Sequence, residues 1–171
     1  MTLEALIQRL QATPDVLEAL LKNVTFQTAR WKPTPERWSM LEVVCHMADE
    51  ERKDFRPRLK SLLIDTPPGL NIDPIDPPTW VIEGNYNARD LDRALEDFRS
   101  ERALSLEWLG TLPQVIDLER RQSDTKMTAG VVFHSWLAHD YLHIRQITRL
   151  HYDLLELEAG RYMIDYAGEW R

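Results

Sequence analysis

Apolar residues recur at helical spacing in four long stretches of the chain. The first stretch runs from Leu3 to Val24, and the pair Thr13-Pro14 divides it in the manner of a helix restart. This pattern predicts either two short helices or one kinked helix. The second stretch begins at Ser39, which forms a capping-box motif with Glu42, and its apolar stripe extends to about residue 64. Pro57 lies inside that stripe and predicts a kink.

The third and fourth stretches have their own start and stop signals. Asn87 is a candidate cap for a third helix, which Gly110 and Pro113 end, and Thr128 can cap the fourth. Five of the ten prolines lie in residues 65–86, so we predict a long loop there. The only alternation with period two is a short run at residues 114–118. We therefore predict an all-α fold, a four-helix bundle with a long crossover loop and a C-terminal extension. The aromatic residues of that extension are expected either to dock on the bundle or to form a dimer contact.

Length and composition describe one ordinary acidic domain. The chain has 171 residues and a net charge of −7, which suits a single domain spanning residues 1–171 and disfavours nucleic acid as a partner. The single cysteine, Cys45, cannot form an internal disulfide and is expected in the core. The N-terminus does not have the pattern of a signal peptide and no apolar run is long enough for a membrane span, so we expect a cytoplasmic protein without membrane association.

The histidines offer the most specific chemistry. His139 and His143 are four residues apart, so both imidazoles can reach one point beside a helix. His134 and His151 are excluded from that point by angle or by distance along the axis, which leaves His46 as a third candidate if the second and fourth helices are neighbours. Spacing favours a metal site, but hydrogen-bonded core histidines stay an alternative interpretation.

Three segments resemble the DinB-like family of metal-binding four-helix bundles. They are WSMLEVVCHMADEE from Trp38, FRSER from Phe98 and HDYLHIRQI from His139, in the order in which the family has them. The resemblance implies that His46, His139 and His143 ligate a divalent metal. It also implies a metal-dependent enzyme of the thiol-dependent transferase or hydrolase type and, since family members are commonly dimers, a homodimer.

Such a site leaves at least one coordination position open, which is typical of catalytic metal centres. Zinc is our first expectation and nickel the second, because imidazole suits both ions. We expect a small-molecule substrate, with a low-molecular-weight thiol as one candidate. The alternative is a non-catalytic protein in which the metal or the histidine cluster stabilises the bundle or a dimer.

The helix period also indicates candidates that support the site. Asp49 and Glu50 lie three and four residues after His46, where a carboxylate could orient an imidazole or act as a base. Gln146 lies three residues after His143 and could donate to a bound ligand. We assign Glu51 to a solvated charge run. Arg102 could pair with an acid inside the bundle or lie exposed.

Overall fold

The computed structural model describes residues 2–63, 75–113, 115–121 and 127–170. Within these ranges the chain forms seven α-helices and no strand, apart from one isolated bridge between Arg121 and Thr128. The helices are α1 (Leu3–Leu21), α2 (Phe26–Arg30), α3 (Met40–Glu50), α4 (Arg56–Leu63), α5 (Pro77–Glu83), α6 (Leu91–Gly110) and α7 (Ala129–Ala159). A π-helical turn, Glu51–Phe55, joins α3 to α4. The predicted all-α class is confirmed.

Four long segments make the bundle. Helix α1 packs against α6 and α7, and α3 packs against the same two helices from the other side, while α4 continues along α7. The second and fourth predicted helices are therefore neighbours, which was the condition for bringing His46 to the histidine pair. The predicted four-helix bundle is confirmed.

Local capping signals explain where two of the long helices begin. The hydroxyl of Ser39 accepts from the Glu42 amide at 3.2 Å, and the Glu42 carboxylate accepts from the Ser39 amide at 2.8 Å. This closed capping box fixes the start of α3 as predicted. The hydroxyl of Thr128 likewise accepts from the Val131 amide at the start of α7.

The predicted cap of the third helix is wrong. Asp90 caps α6, and its carboxylate accepts from the Arg93 amide at 3.0 Å. Asn87 instead lies in a short 3₁₀ turn, where its side-chain oxygen accepts from the Ser39 hydroxyl at 2.7 Å. Asn87 therefore connects the segment before α6 to the start of α3.

The predicted loop at residues 65–86 is interrupted by a helix. Asp76 caps α5, and Pro77 and Pro78 occupy its first turn, where a missing N–H costs no helical hydrogen bond. The pair Pro77-Pro78, which predicted a loop, thus begins a helix in the structure. Residues 64–74 lie outside the described residues, as does Gln114 of the run that alternates with period two; residues 115–118 form no strand.

The other two prolines inside helical patterns have different effects. Helix α1 is one continuous element that contains Pro14, which agrees with the single-helix alternative. Pro57 is the second residue of α4 and directly follows the π-helical turn. Because Pro57 has no N–H to donate to the carbonyl of Lys53, the regular α-helical pattern changes at this point.

The C-terminal extension docks on the bundle through its last described residue. The ring of Trp170 lies 5.2 Å from that of Tyr152, and the Arg149 guanidinium packs over both rings. Among the described residues, no helix is both long and apolar enough to cross a membrane.

Candidate metal centre

Three imidazoles converge between α3 and α7. The Nε2 atom of His139 lies 3.1 Å from Nε2 of His46 and 3.0 Å from Nε2 of His143. One nitrogen from each ring falls within 4.8 Å of the others. The structure thus brings together the three histidines that the sequence analysis selected. No other group of three or more possible metal ligands is found in the part of the chain that the structure describes.

Aromatic side chains hold these rings in place. Trp38, just before the α3 cap, lies 4.8 Å from the His46 ring, and Phe55 of the π-helical turn contacts the His139 ring edge-on at 5.1 Å. Phe55 in turn stacks on Trp136. The cluster therefore lies against an apolar wall that excludes water from one side.

Burial keeps the imidazoles uncharged. Burial, together with the charge of the neighbouring histidines, lowers the pKa of His46 to about 3 and that of His139 to about 2. The pKa of His143 is also lowered, again mainly by burial. Near neutral pH all three rings are in the form that binds metals.

One hydrogen bond leaves a nitrogen lone pair of His143 for the common centre. Gln146 accepts from Nδ1 of His143 at 2.9 Å, so Nε2 of this neutral ring carries a lone pair. Nδ1 of His46 is buried without a hydrogen-bond partner, and the nearest carboxylate oxygen, from Glu50, is 3.7 Å away.

This donor set fits a transition-metal ion. In a tetrahedral site with Zn–N bonds of about 2.0–2.1 Å, two ligand nitrogens are separated by about 3.3 Å. The separations of 3.1 and 3.0 Å at His139 are close to that value. Small shifts of the rings would adapt the cluster to the ion.

A cavity of about 700 Å³ opens from the histidines. Its size is that of a small-molecule site. Besides the histidines, its polar lining residues are Glu50, Asp54, Arg58 and Ser135. The described apolar lining residues are Trp38, Phe55, Ile75, Pro77, Met127, Val131 and Val132.

Glu50 is the candidate acid or base that faces this cavity. It is almost fully buried, and burial together with the neighbouring charge of Asp54 raises its pKa to about 8. Its carboxyl group therefore holds a proton more strongly than an exposed glutamate does. A group of this kind can both accept and donate a proton near neutral pH.

The other two predicted catalytic residues lie elsewhere. Asp49 does not line the cavity, and its carboxylate accepts from the Tyr86 hydroxyl and from Lys53. Burial raises the pKa of Asp49, but these two hydrogen bonds outweigh it and keep the pKa below its usual value. Gln146 also lies outside the cavity lining, with its oxygen on His143. The structure thus pairs Asp49 with the 3₁₀ turn before α6 and with the π-helical turn, and it places Gln146 where it orients a candidate ligand.

The two histidines excluded by spacing are also separate in space. His134 is exposed and contacts the Gly130 carbonyl of its own helix, and His151 contacts the Leu20 carbonyl of α1. Cys45 is buried in the core as predicted.

A buried ion-pair network includes Glu51 and Asp140, which are close neighbours of the site residues Glu50 and His139 in the chain. The Arg102 guanidinium donates to Glu51 at 3.0 Å, to both oxygens of Asp140 at 2.7 and 2.8 Å, and to the Leu10 carbonyl at 2.8 Å. Trp136 donates to the same Glu51 oxygen at 2.6 Å. The network joins all four segments of the bundle.

Assigning Glu51 to a solvated charge run is therefore wrong, because its side chain is only 1% exposed and is paired with Arg102. Arg102 takes the first of its two predicted environments, inside the bundle. Asp140, next to His139, was not recognised in the sequence as a partner. Its position three residues before His143, on a face shared with apolar residues, was the signal available.

Comparisons with known proteins agree with this architecture. The model of the DinB superfamily matches residues 9–147. Among solved structures, the chain is similar to YfiT from Bacillus subtilis, described as a probable metal-dependent hydrolase with an unusual four-helix bundle topology. The two share 23% sequence identity and superpose with a TM-score of 0.73, over 89% of this chain and 87% of that one. No curated protein sequence matches the chain.

Proposed function

Because the chain belongs to the DinB superfamily, we propose that it is a metal-dependent enzyme whose divalent ion is held by His46, His139 and His143. The reaction class is hydrolysis or thiol-dependent group transfer on a small molecule. The similarity of the fold to that of a probable metal-dependent hydrolase supports the first of these reactions.

One observation carries the proposal: three uncharged imidazoles meet at the inner end of a cavity. Neutral histidines that only stabilise a core normally bond to carbonyl or hydroxyl groups, as His151 does with Leu20. Here, instead, the Nε2 atoms of the three histidines face one another. A cation at the centre would satisfy all three nitrogens at once.

A divalent metal bound by three neutral imidazoles supplies a Lewis acid with an open position, which lowers the pKa of water or of a thiol. The chain contributes a wall of aromatic residues, Trp38 and Phe55, that restricts water. It also contributes the Glu50 carboxyl group, which can take up a proton and return it to a leaving group.

Zinc stays our first choice of metal and nickel the second, on the grounds of ligand chemistry. We keep a low-molecular-weight thiol as a candidate substrate, since thiolates bind both ions. We also propose a homodimer, which the exposed apolar side chains of Tyr162, Met163 and Tyr166 support.

Metal removal and restoration test the enzyme proposal. Wild-type protein, stripped with a chelator and reloaded with zinc or nickel, is assayed against a panel of esters and amides and against thiols paired with electrophiles. We expect activity with at least one of these substrate classes, and we expect it to be lost on removal of the metal and restored on reloading. In Glu50→Gln the activity should fall by at least about 100-fold, which is within the range of general acid–base catalysis. Stoichiometric metal with no turnover of any class, or a coordination sphere closed by a fourth protein ligand, would favour the non-catalytic alternative.

A further inference from the structure

One fixed positive charge lies among the described residues that line the histidine cavity, on Arg58 of α4. Its side chain is 21% exposed, so the guanidinium is partly shielded from solvent. The proposed mechanism uses the histidines and Glu50 and leaves this arginine without a role.

Only part of the hydrogen-bonding capacity of Arg58 is used within the protein. Its Nε atom donates to Asp54, four residues earlier on the same helical segment. The two terminal nitrogens make no hydrogen bond to any described residue. A guanidinium carries five N–H donors, so a planar fork of donors remains for a ligand.

The surroundings of this fork select the kind of group that it can bind. The neighbouring described walls are apolar and include Phe55, Val131 and Val132. A dication on three neutral imidazoles together with Arg58 outweighs Asp54 and Glu50 even when both acids are ionised. The cavity thus favours a negatively charged ligand.

From this arrangement we infer that Arg58 binds a carboxylate group of the substrate, whose apolar body fills the cavity between Arg58 and the three histidines. The inference rests on the proposed metal-dependent function and names the substrate class: an apolar small molecule with a reactive group at one end and a carboxylate at the other. Arg58 is then a specificity-determining residue that touches substrate away from the reacting atoms.

The histidine cavity fixes where the two ends of that molecule can bind. Both the three histidines and Arg58 line this one cavity of about 700 Å³, so a single small molecule can contact both.

Two matched thiols test the inference by binding rather than by turnover. The probes are 6-mercaptohexanoate and hexane-1-thiol, which differ only in the carboxylate. Each is titrated into cobalt(II)-loaded protein, where the thiolate-to-metal absorption band reports binding, and into metal-free protein, where NMR chemical shifts report it. The variants are Arg58→Gln, Arg58→Lys and the matched control Arg93→Gln, which changes an exposed arginine of α6.

We expect wild-type protein and Arg93→Gln to bind the carboxylate probe at least about 10-fold more tightly than hexane-1-thiol. Arg58→Gln should lose this preference while binding hexane-1-thiol with unchanged affinity, and Arg58→Lys should recover part of it. An undiminished preference in Arg58→Gln, or no preference in wild type, overturns the inference. Failure of cobalt(II) to bind would overturn the proposed metal centre instead, and the metal-free titration would still decide the role of Arg58.

Discussion

At the scale of single residues, two neighbouring carboxylates show how far spacing alone can assign roles. Asp49 and Glu50 both follow His46 closely enough to share its helix face, and the sequence offered no reason to separate them. Packing separates them: Asp49 faces Tyr86 and Lys53, whereas Glu50 faces the cavity. The direction in which a helix face points depends on its neighbours, which a period of 3.6 residues does not specify.

Replacing Glu50 by Gln should change how stability depends on pH. The pKa of Glu50 is raised from 4.5 to about 8 mainly by burial, so its ionisation opposes folding as the pH rises through that interval. Measured by urea unfolding of metal-free protein, Glu50→Gln should gain stability relative to wild type between about pH 4.5 and pH 8. The difference in the free energy of unfolding between Glu50→Gln and wild type should be small below pH 4.5 and should stay constant above pH 8. A difference that does not vary with pH would contradict the assigned environment of Glu50.

Gln146 should affect the metal without touching it. Its oxygen accepts from Nδ1 of His143 and thereby keeps Nε2 free to bind. We expect Gln146→Leu to weaken metal affinity by about 10–100-fold, the usual effect of removing a group that orients a ligand. Competition with a chromophoric chelator measures this, with Arg145→Leu on the same turn as the control. Equal metal affinities in Gln146→Leu and wild type would contradict the role of Gln146 in orienting His143.

At the scale of elements, the capping box of α3 was predicted completely because both of its partners are local. Ser39 and Glu42 satisfy each other within four residues, so the sequence contained the whole motif. Asn87 has the right chemistry for a cap, but its oxygen bonds to Ser39, far away in the chain. Helix α5 was missed because Pro77 and Pro78 are typical both of a loop and of a first helical turn.

The π-helical turn could not be predicted either, because its first residue, Glu51, is paired with side chains from distant helices. Glu51 bonds to Arg102 of α6 and to Trp136 of α7. The same turn carries Phe55 to the His139 ring. The turn therefore links the buried ion-pair network to the candidate metal centre.

Replacing Arg102 by Met should strongly destabilise the bundle. It would leave Glu51 and Asp140 buried without their countercharge, which typically costs about 3–5 kcal/mol. Arg99→Met on the same helix removes only exposed ion pairs to Asp15 and Glu18, for which we expect about 1 kcal/mol or less. Unfolding in urea compares the two. Equal losses would mean that the buried network does not hold the helices together.

At the scale of the whole molecule, the fold was predictable and the cavity was not. Four amphipathic stretches with their caps indicate a bundle, and the resemblance of three motifs supplied its family. The pairing of α3 with α7 is what turns His46 and a distant histidine pair into one cluster. The cavity wall combines Trp38, Phe55 and Val131 from three separate segments, so no local pattern could reveal it.

The central claim is that these three histidines bind one divalent ion. Equilibrium dialysis of untagged protein against zinc, followed by elemental analysis, tests it most directly, with His134→Ala as the matched control on the same helix as His143. The account predicts about one equivalent of zinc in wild type and in His134→Ala, and less than about a tenth of an equivalent in His143→Ala. Absence of zinc from wild type, or equal zinc in His143→Ala, would contradict it.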